Sequence, residues 1–150
     1  MANYSTDDDL VAIRPDILDL GVETWAAKHA EAKSIIDRVI EFRWYRNAAD
    51  DVCVDWRVTA FDSEKLKSID TQLKRLSSYK TLELAYEYLM QASAEASAFD
   101  NLRGLYAKKY KEELEDVLGA GLDYDWSEVS DDTQDVQEVA TYTIRRLKRM

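Results

Sequence analysis

The sequence predicts a mainly α-helical bundle, with a short β-ribbon near residues 52–59 and an extended C-terminal arm. Three observations carry this. Apolar residues recur at steps of three and four along most of the chain. Pro15 is the only proline and the four glycines stand at 21, 104, 119 and 121, so long stretches contain no helix breaker. Strand-like patterning is confined to two short runs, one around Val54 and one from Val139 to Ile144. Residues 1–121 are therefore expected to form a helical bundle domain, and 122–150 an extended acidic segment followed by a basic arm.

Taken in order, Ser5 or Thr6 caps a short first helix whose opening acids, Asp7 to Asp9, meet the positive end of the helix dipole. Pro15 suits the first position of a one-turn helix, with Gly21 available for the left-handed conformation after it. From Thr24 to about Arg46, Ala32, Ile35, Ile36, Val39 and Ile40 mark an amphipathic helix that ends in Phe42, Trp44 and Tyr45. Val52, Val54, Trp56 and Val58 then alternate with Cys53, Asp55, Arg57 and Thr59, the period of a strand.

Asp62 or Ser63 caps the next helix, expected over 64–95 as one continuous or slightly bent rod. Its apolar seam is Leu66, Ile69, Leu73 and Leu76, resumed after Ser77-Ser78 by Leu82, Ala85, Tyr86 and Leu89. A last helix over 100–118 places Leu102, Leu105, Tyr106, Tyr110, Leu114, Val117 and Leu118 on one face and ends at Gly119-Ala120-Gly121.

A chain of 150 residues is long enough for one core. Its net charge of −10 repels phosphate and anionic lipid, which disfavours tight nucleic-acid binding. A lone cysteine, Cys53, has no partner for an internal disulfide and suits a reducing compartment. The first residues have no export-signal pattern, and no apolar run is long enough to span a membrane, so no membrane partner is expected.

Catalytic signatures are sparse. His29 stands between Lys28 and Ala30 with no second histidine in the chain, and reads as an ordinary surface or packing residue. Glycine-rich phosphate loops and the Gly-x-Ser-x-Gly turn are missing, so no cofactor is expected. Asp123, Asp125 and Ser127 imitate the start of a calcium loop, but Glu128 stands where glycine is needed and Gln134 where a bidentate glutamate is needed. No metal site follows. Tyr124 and Trp126, set among acids just past the last helix, read as anchors for a subunit or neck interface.

Several segments carry a resemblance. They are Tyr4-Ser5-Thr6 with Leu10, the step Arg14-Pro15-Asp16-Ile17, the polar run Gln72 to Lys80, Gly121-Leu122-Asp123-Tyr124-Asp125, and the terminal Arg145-Arg146-Leu147-Lys148-Arg149. Together they resemble the small head-tail connector proteins of tailed bacteriophages, also called adaptor or head-completion proteins. The resemblance implies a non-enzymatic virion protein of the neck, assembled as a ring of neighbouring copies, commonly twelve. Such a ring sits between the portal protein and the next tail or neck protein and conducts DNA without holding it. The Val52–Thr59 segment does not fit the family's pattern.

The C-terminal arm then has an assigned role. Val139, Tyr142 and Ile144 supply strand-like anchors for portal binding, with Leu147 beside them, while Arg145, Arg146, Lys148 and Arg149 meet acidic groups on the portal. Alternatives stay open: a tail-completion or other neck component, a cytosolic helical regulator that binds one partner, and an acid-pair enzyme.

Overall fold

The computed structural model describes residues 2–92 and 96–127, and among these six α-helices pack without a sheet. Helix α1, Asp7–Ile13, is capped by Thr6, whose backbone N–H and hydroxyl both donate to the Asp9 carboxylate at 2.8 and 3.1 Å. A 3-10 turn, Ile17–Asp19, follows Pro15, and Gly21 takes the left-handed conformation at φ +88°.

Helix α2, Ala26–Ile40, does not stop near residue 46. It passes through a π-helical turn, Glu41–Tyr45, into α3, Arg46–Asp51. A π turn adds one residue to the helical repeat, so the buried sequence Ile36, Ile40 continues as Tyr45, Ala49 after a step of five. That shift leaves Phe42 half in solvent.

Residues 52–59 form turns and not the expected β-ribbon. Cys53, at φ 64°, ends the helix, and Val54 N–H reaches back to the Ala49 carbonyl at 2.8 Å. The Asp55 carbonyl then accepts from Val58 and Thr59 N–H at 3.1 and 2.9 Å, while its carboxylate accepts from Arg57 N–H at 3.0 Å. These local bonds consume the backbone groups that a ribbon would need. The apolar alternation has no common face, since Val54 is buried and Val58 is 80% exposed.

The helix expected from residue 64 also starts later. The Asp62 carboxylate caps a 3-10 turn, Ser63–Lys65, by accepting from Glu64 N–H at 3.0 Å. Leu66 is then extended and pairs antiparallel with Tyr124, flanked by Lys67 N–H to Asp123 O at 2.9 Å and Asp125 N–H to Lys65 O at 2.8 Å. A short α4, Ile69–Gln72, precedes α5, Lys74–Ala92, which runs unbroken through Ser77-Ser78. Helix α6, Ala96–Ala120, is longer at both ends than the predicted 100–118 and stops where Gly121 turns left-handed. Leu105, assigned to its inner face, is exposed.

Residues 122–126 are part of the bundle. Leu122 and Tyr124 are buried, so the packed unit runs past the expected domain boundary at residue 121. The return is held by Gln72, whose amide N–H donates to the Gly121 carbonyl at 3.1 Å and whose amide oxygen accepts from Asp123 N–H at 3.3 Å.

The apolar core is in two parts. One gathers Ile36, Ile40, Tyr45, Leu73, Leu76, Leu114 and Tyr124; the other gathers Leu10, Ile17, Trp25, Leu82, Ala85, Tyr86 and Tyr106. Both draw on α5 and α6, the first also on α2 and the second on Trp25 just before it, and between them α2 contributes His29 and Lys33 and α5 contributes Ser77, Ser78 and Thr81, all buried. A polar layer thus divides the bundle. Leu76→Ala and Leu82→Ala, one in each part and both fully buried, are expected to lower stability by about 2–5 kcal/mol each in urea unfolding. A midpoint unchanged by either would show that part to be dispensable.

Candidate functional site

The buried polar layer is the first place to look for chemistry, because it contains the chain's only histidine. His29 is 2% exposed and lies between the N-terminal segment and α5. Its Nδ1 is 2.8 Å from Ser5 Oγ, its Nε2 is 3.1 Å from Asp7 Oδ1, and Ser5 Oγ is 2.8 Å from Ser77 Oγ. Thr81 is 3.3 Å from Nδ1, but its hydroxyl donates to the Ser77 carbonyl at 2.8 Å. With that proton committed, one direction of donation satisfies the rest. Ser77 donates to Ser5, Ser5 donates to Nδ1, and Nε2–H donates to Asp7. Asp7 also accepts from Trp25 N–H at 3.1 Å and from the Thr24 hydroxyl at 2.6 Å.

A second knot lies two turns along α2. The Lys33 ammonium donates to Asp37 Oδ2 at 2.8 Å and Ser63 Oγ at 2.9 Å and sits 4.9 Å over the Tyr4 ring, while the Tyr4 hydroxyl donates to Asp37 Oδ1. Burial and the neighbouring carboxylate push the Tyr4 phenol well above its ordinary value. Lys74 pairs with Asp9 at 3.2 Å. The N-terminal segment is therefore tied across the polar layer, with Tyr4 entering one apolar cluster and Leu10 the other.

Serine, histidine and aspartate in one relay invite a nucleophilic reading. A nucleophile must meet its substrate, however, and Ser5 is 2% exposed beneath its own chain segment. The Ser5 hydroxyl also lies on Nδ1 and the carboxylate on Nε2, an arrangement that here fastens two pieces of chain. The relay holds the fold.

The other concentration of unusual side chains is aromatic. Trp126 stacks on Tyr45 at 5.7 Å between ring centroids and lies 4.5 Å from Tyr124, which in turn stacks on Phe61 at 5.8 Å. Burial pushes the Tyr45 phenol up to about 12, and its hydroxyl donates to the Thr59 carbonyl at 2.7 Å. Outside this floor, on the exposed side of the π turn, the Arg46 guanidinium lies 4.3 Å over Phe42 and 4.4 Å over Trp56, with Arg57 5.0 Å over the Trp56 ring. Phe42 is 50% exposed, Val52 and Val58 are exposed as well, and Arg46 Nε is buried without a hydrogen-bond partner. Arginine stacked on aromatics with apolar residues left in water is the composition of protein-interface centres.

The residues expected from sequence fall differently. Tyr124 is 6% exposed and the half-buried Trp126 packs on Trp44 and Tyr45, so both residues, expected at a subunit or neck interface, anchor the chain to itself. The portal-binding residues Val139, Tyr142, Ile144, Arg145, Arg146, Leu147, Lys148 and Arg149 lie outside the described residues. Sequence reasoning passes over Phe42, Arg46, Trp56 and Val58, whose signal is the aromatic run that follows α2 and valines whose alternation serves no sheet.

Among the described residues no group of three or more His, Cys, Asp or Glu side chains is placed to hold a metal ion, and no helix is long and apolar enough to cross a membrane. Neither a protein-family model, a curated protein nor a solved structure matches the chain.

Core and surface aromatics separate in one experiment. Tyr124→Ala is expected to lose about 3–5 kcal/mol of stability, as a buried aromatic does. Phe42→Ala should change stability by no more than about 0.5 kcal/mol, as at an exposed position. Equal losses in urea melts would contradict the division.

Proposed function

We propose that this chain is a structural assembly protein that works by binding other protein chains, and that it forms the ring between portal and tail in the neck of a tailed bacteriophage. The observation that carries the binding role is the Phe42–Arg46–Trp56–Val58 surface. Phe42 and Val58 stand exposed on it, and the Arg46 guanidinium stacks on both Phe42 and Trp56, the latter half-buried against the first part of the core. Such a surface is a natural contact for a neighbouring copy or for the next neck protein.

The neck assignment rests on the sequence resemblance alone, and the segments that carry it make contacts within the chain. Tyr4-Ser5-Thr6 and Leu10 fasten the N-terminal segment, Gln72 to Lys80 supplies the clamp on Gly121 and Ser77 and Ser78 of the polar layer, and Gly121 to Asp125 forms the return beside Leu66. These joints set the relative placement of helices, as a subunit that must repeat identically around a ring requires. The basic end of the chain, Arg145 to Arg149, remains the proposed portal-docking arm, and the net charge of −10 suits a channel wall along which DNA slides.

Phe42→Glu combined with Val58→Glu should leave helical content and melting unchanged yet weaken co-sedimentation with portal assemblies by about tenfold or more, the effect of losing an interface centre. Deleting 139–150 should preserve the melt and abolish portal attachment. Retained attachment in both variants would refute the assembly reading, and binding to a single cytosolic partner as a monomer would replace it with the regulator. Duplex DNA should bind only weakly at physiological salt; submicromolar affinity would overturn the channel-wall role.

A further inference from the structure

We propose that residues 4 to 9 are a releasable clasp, opened by protonation of His29 while the helices beneath it stay folded. The clasp is polar where it crosses the bundle: Ser5, Asp7 and Asp9 hold it to His29, Ser77, Trp25 and Lys74. Water can replace such bonds at small net loss, whereas the helix contacts within the two apolar clusters have no aqueous substitute. Only Tyr4 within the clasp is apolar, and Leu10 at its far end keeps α1 seated against the second cluster. Opening is therefore local.

His29 is where a proton acts. In the closed state the buried ring is neutral, and with Nε2–H committed to Asp7 its Nδ1 is left to accept from Ser5, which in turn accepts from Ser77. A proton on Nδ1 turns that acceptor into a donor and forces both hydroxyls to reverse inside a sealed layer.

The charged and polar neighbours come from every packed element. They are Asp7 and Asp9 from α1, Tyr4 and Ser5 from the N-terminal segment, and Lys74, Ser77 and Thr81 from α5. On α2 itself Lys28 pairs with Glu31 and Lys33 with Asp37. Burial pulls the ring below the ordinary histidine value, and the opposing pull of Asp7 and Asp9 does not fully offset it.

The direction follows. In the open clasp the imidazole is in water and takes up a proton near the ordinary value of about 6.5. The closed clasp takes it up only at lower pH. Closure is thus fully favoured above about 6.5 and weakens as pH falls through the depressed value of the buried ring. With one histidine in the chain, the near-neutral window belongs to this ring.

Amide hydrogen exchange on the full chain, corrected for intrinsic rates, reads the clasp directly through the N–H groups of Thr6, Asp9, Leu10 and Trp25, each bonded within or to it. Between pH about 7.5 and 5.5 their opening should rise by up to about tenfold per pH unit below the ordinary histidine value, while α5 amides stay protected. His29→Gln, which retains hydrogen-bonding groups without titrating, should remove the response. Because that variant can fail to fold, the wild-type ring is also titrated by NMR, and its midpoint should coincide with clasp opening. A flat wild-type response, a response retained in His29→Gln, a ring that titrates while the clasp amides do not move, or α5 amides opening in step would each overturn the proposal.

Discussion

The His29 imidazole stands at the joint between two apolar clusters, with Ser5 on one nitrogen and Asp7 on the other. Either cluster alone could slide along the shared helices, since apolar contacts set no unique register. Directional bonds in a buried layer do set one, because misalignment strands a donor or an acceptor away from water. The same layer fixes α1, because Asp7 meets Trp25 N–H and Thr24 as well as the ring. Register, seating of the first helix and path of the N-terminal segment thus share one origin.

Much of the bundle is legible in the sequence because period alone determines it. Leu76, Leu82, Ala85, Tyr86 and Leu89 fall on the buried stripe of α5, and Thr6 and Asp9 close a cap across the first turn. What escapes is set by partners distant in sequence. His29 looks ordinary between Lys28 and Ala30, and only folding brings Ser5 and Asp7 to its two nitrogens. Tyr124 and Trp126 look like a tail's aromatics because nothing local reveals that Tyr45 and Phe61 wait for them. The strand-like valines mislead for the opposite reason: Asp55 closes turns locally before any ribbon partner can compete.

The π turn links the interior to the surface. One additional residue moves Tyr45 inward onto the aromatic floor and, by the same rotation, presents Phe42 and Arg46 outward. Removing a residue from this turn would exchange those faces together. The proposed binding surface is coupled to the core in this way and cannot drift independently of the fold, and π turns are frequent at functional positions.

The antiparallel pairing of Leu66 with Tyr124 bears on the order in which the chain can assemble. The α5–α6 hairpin is local and can form early, whereas the stretch after Gly121 must return past both helices to reach Leu66. During synthesis the aromatic floor therefore stays open until residues 122–126 have left the ribosome. Tyr45 and Phe61 remain uncovered for that interval, and the nascent chain is exposed to misassociation there until Tyr124 and Trp126 emerge.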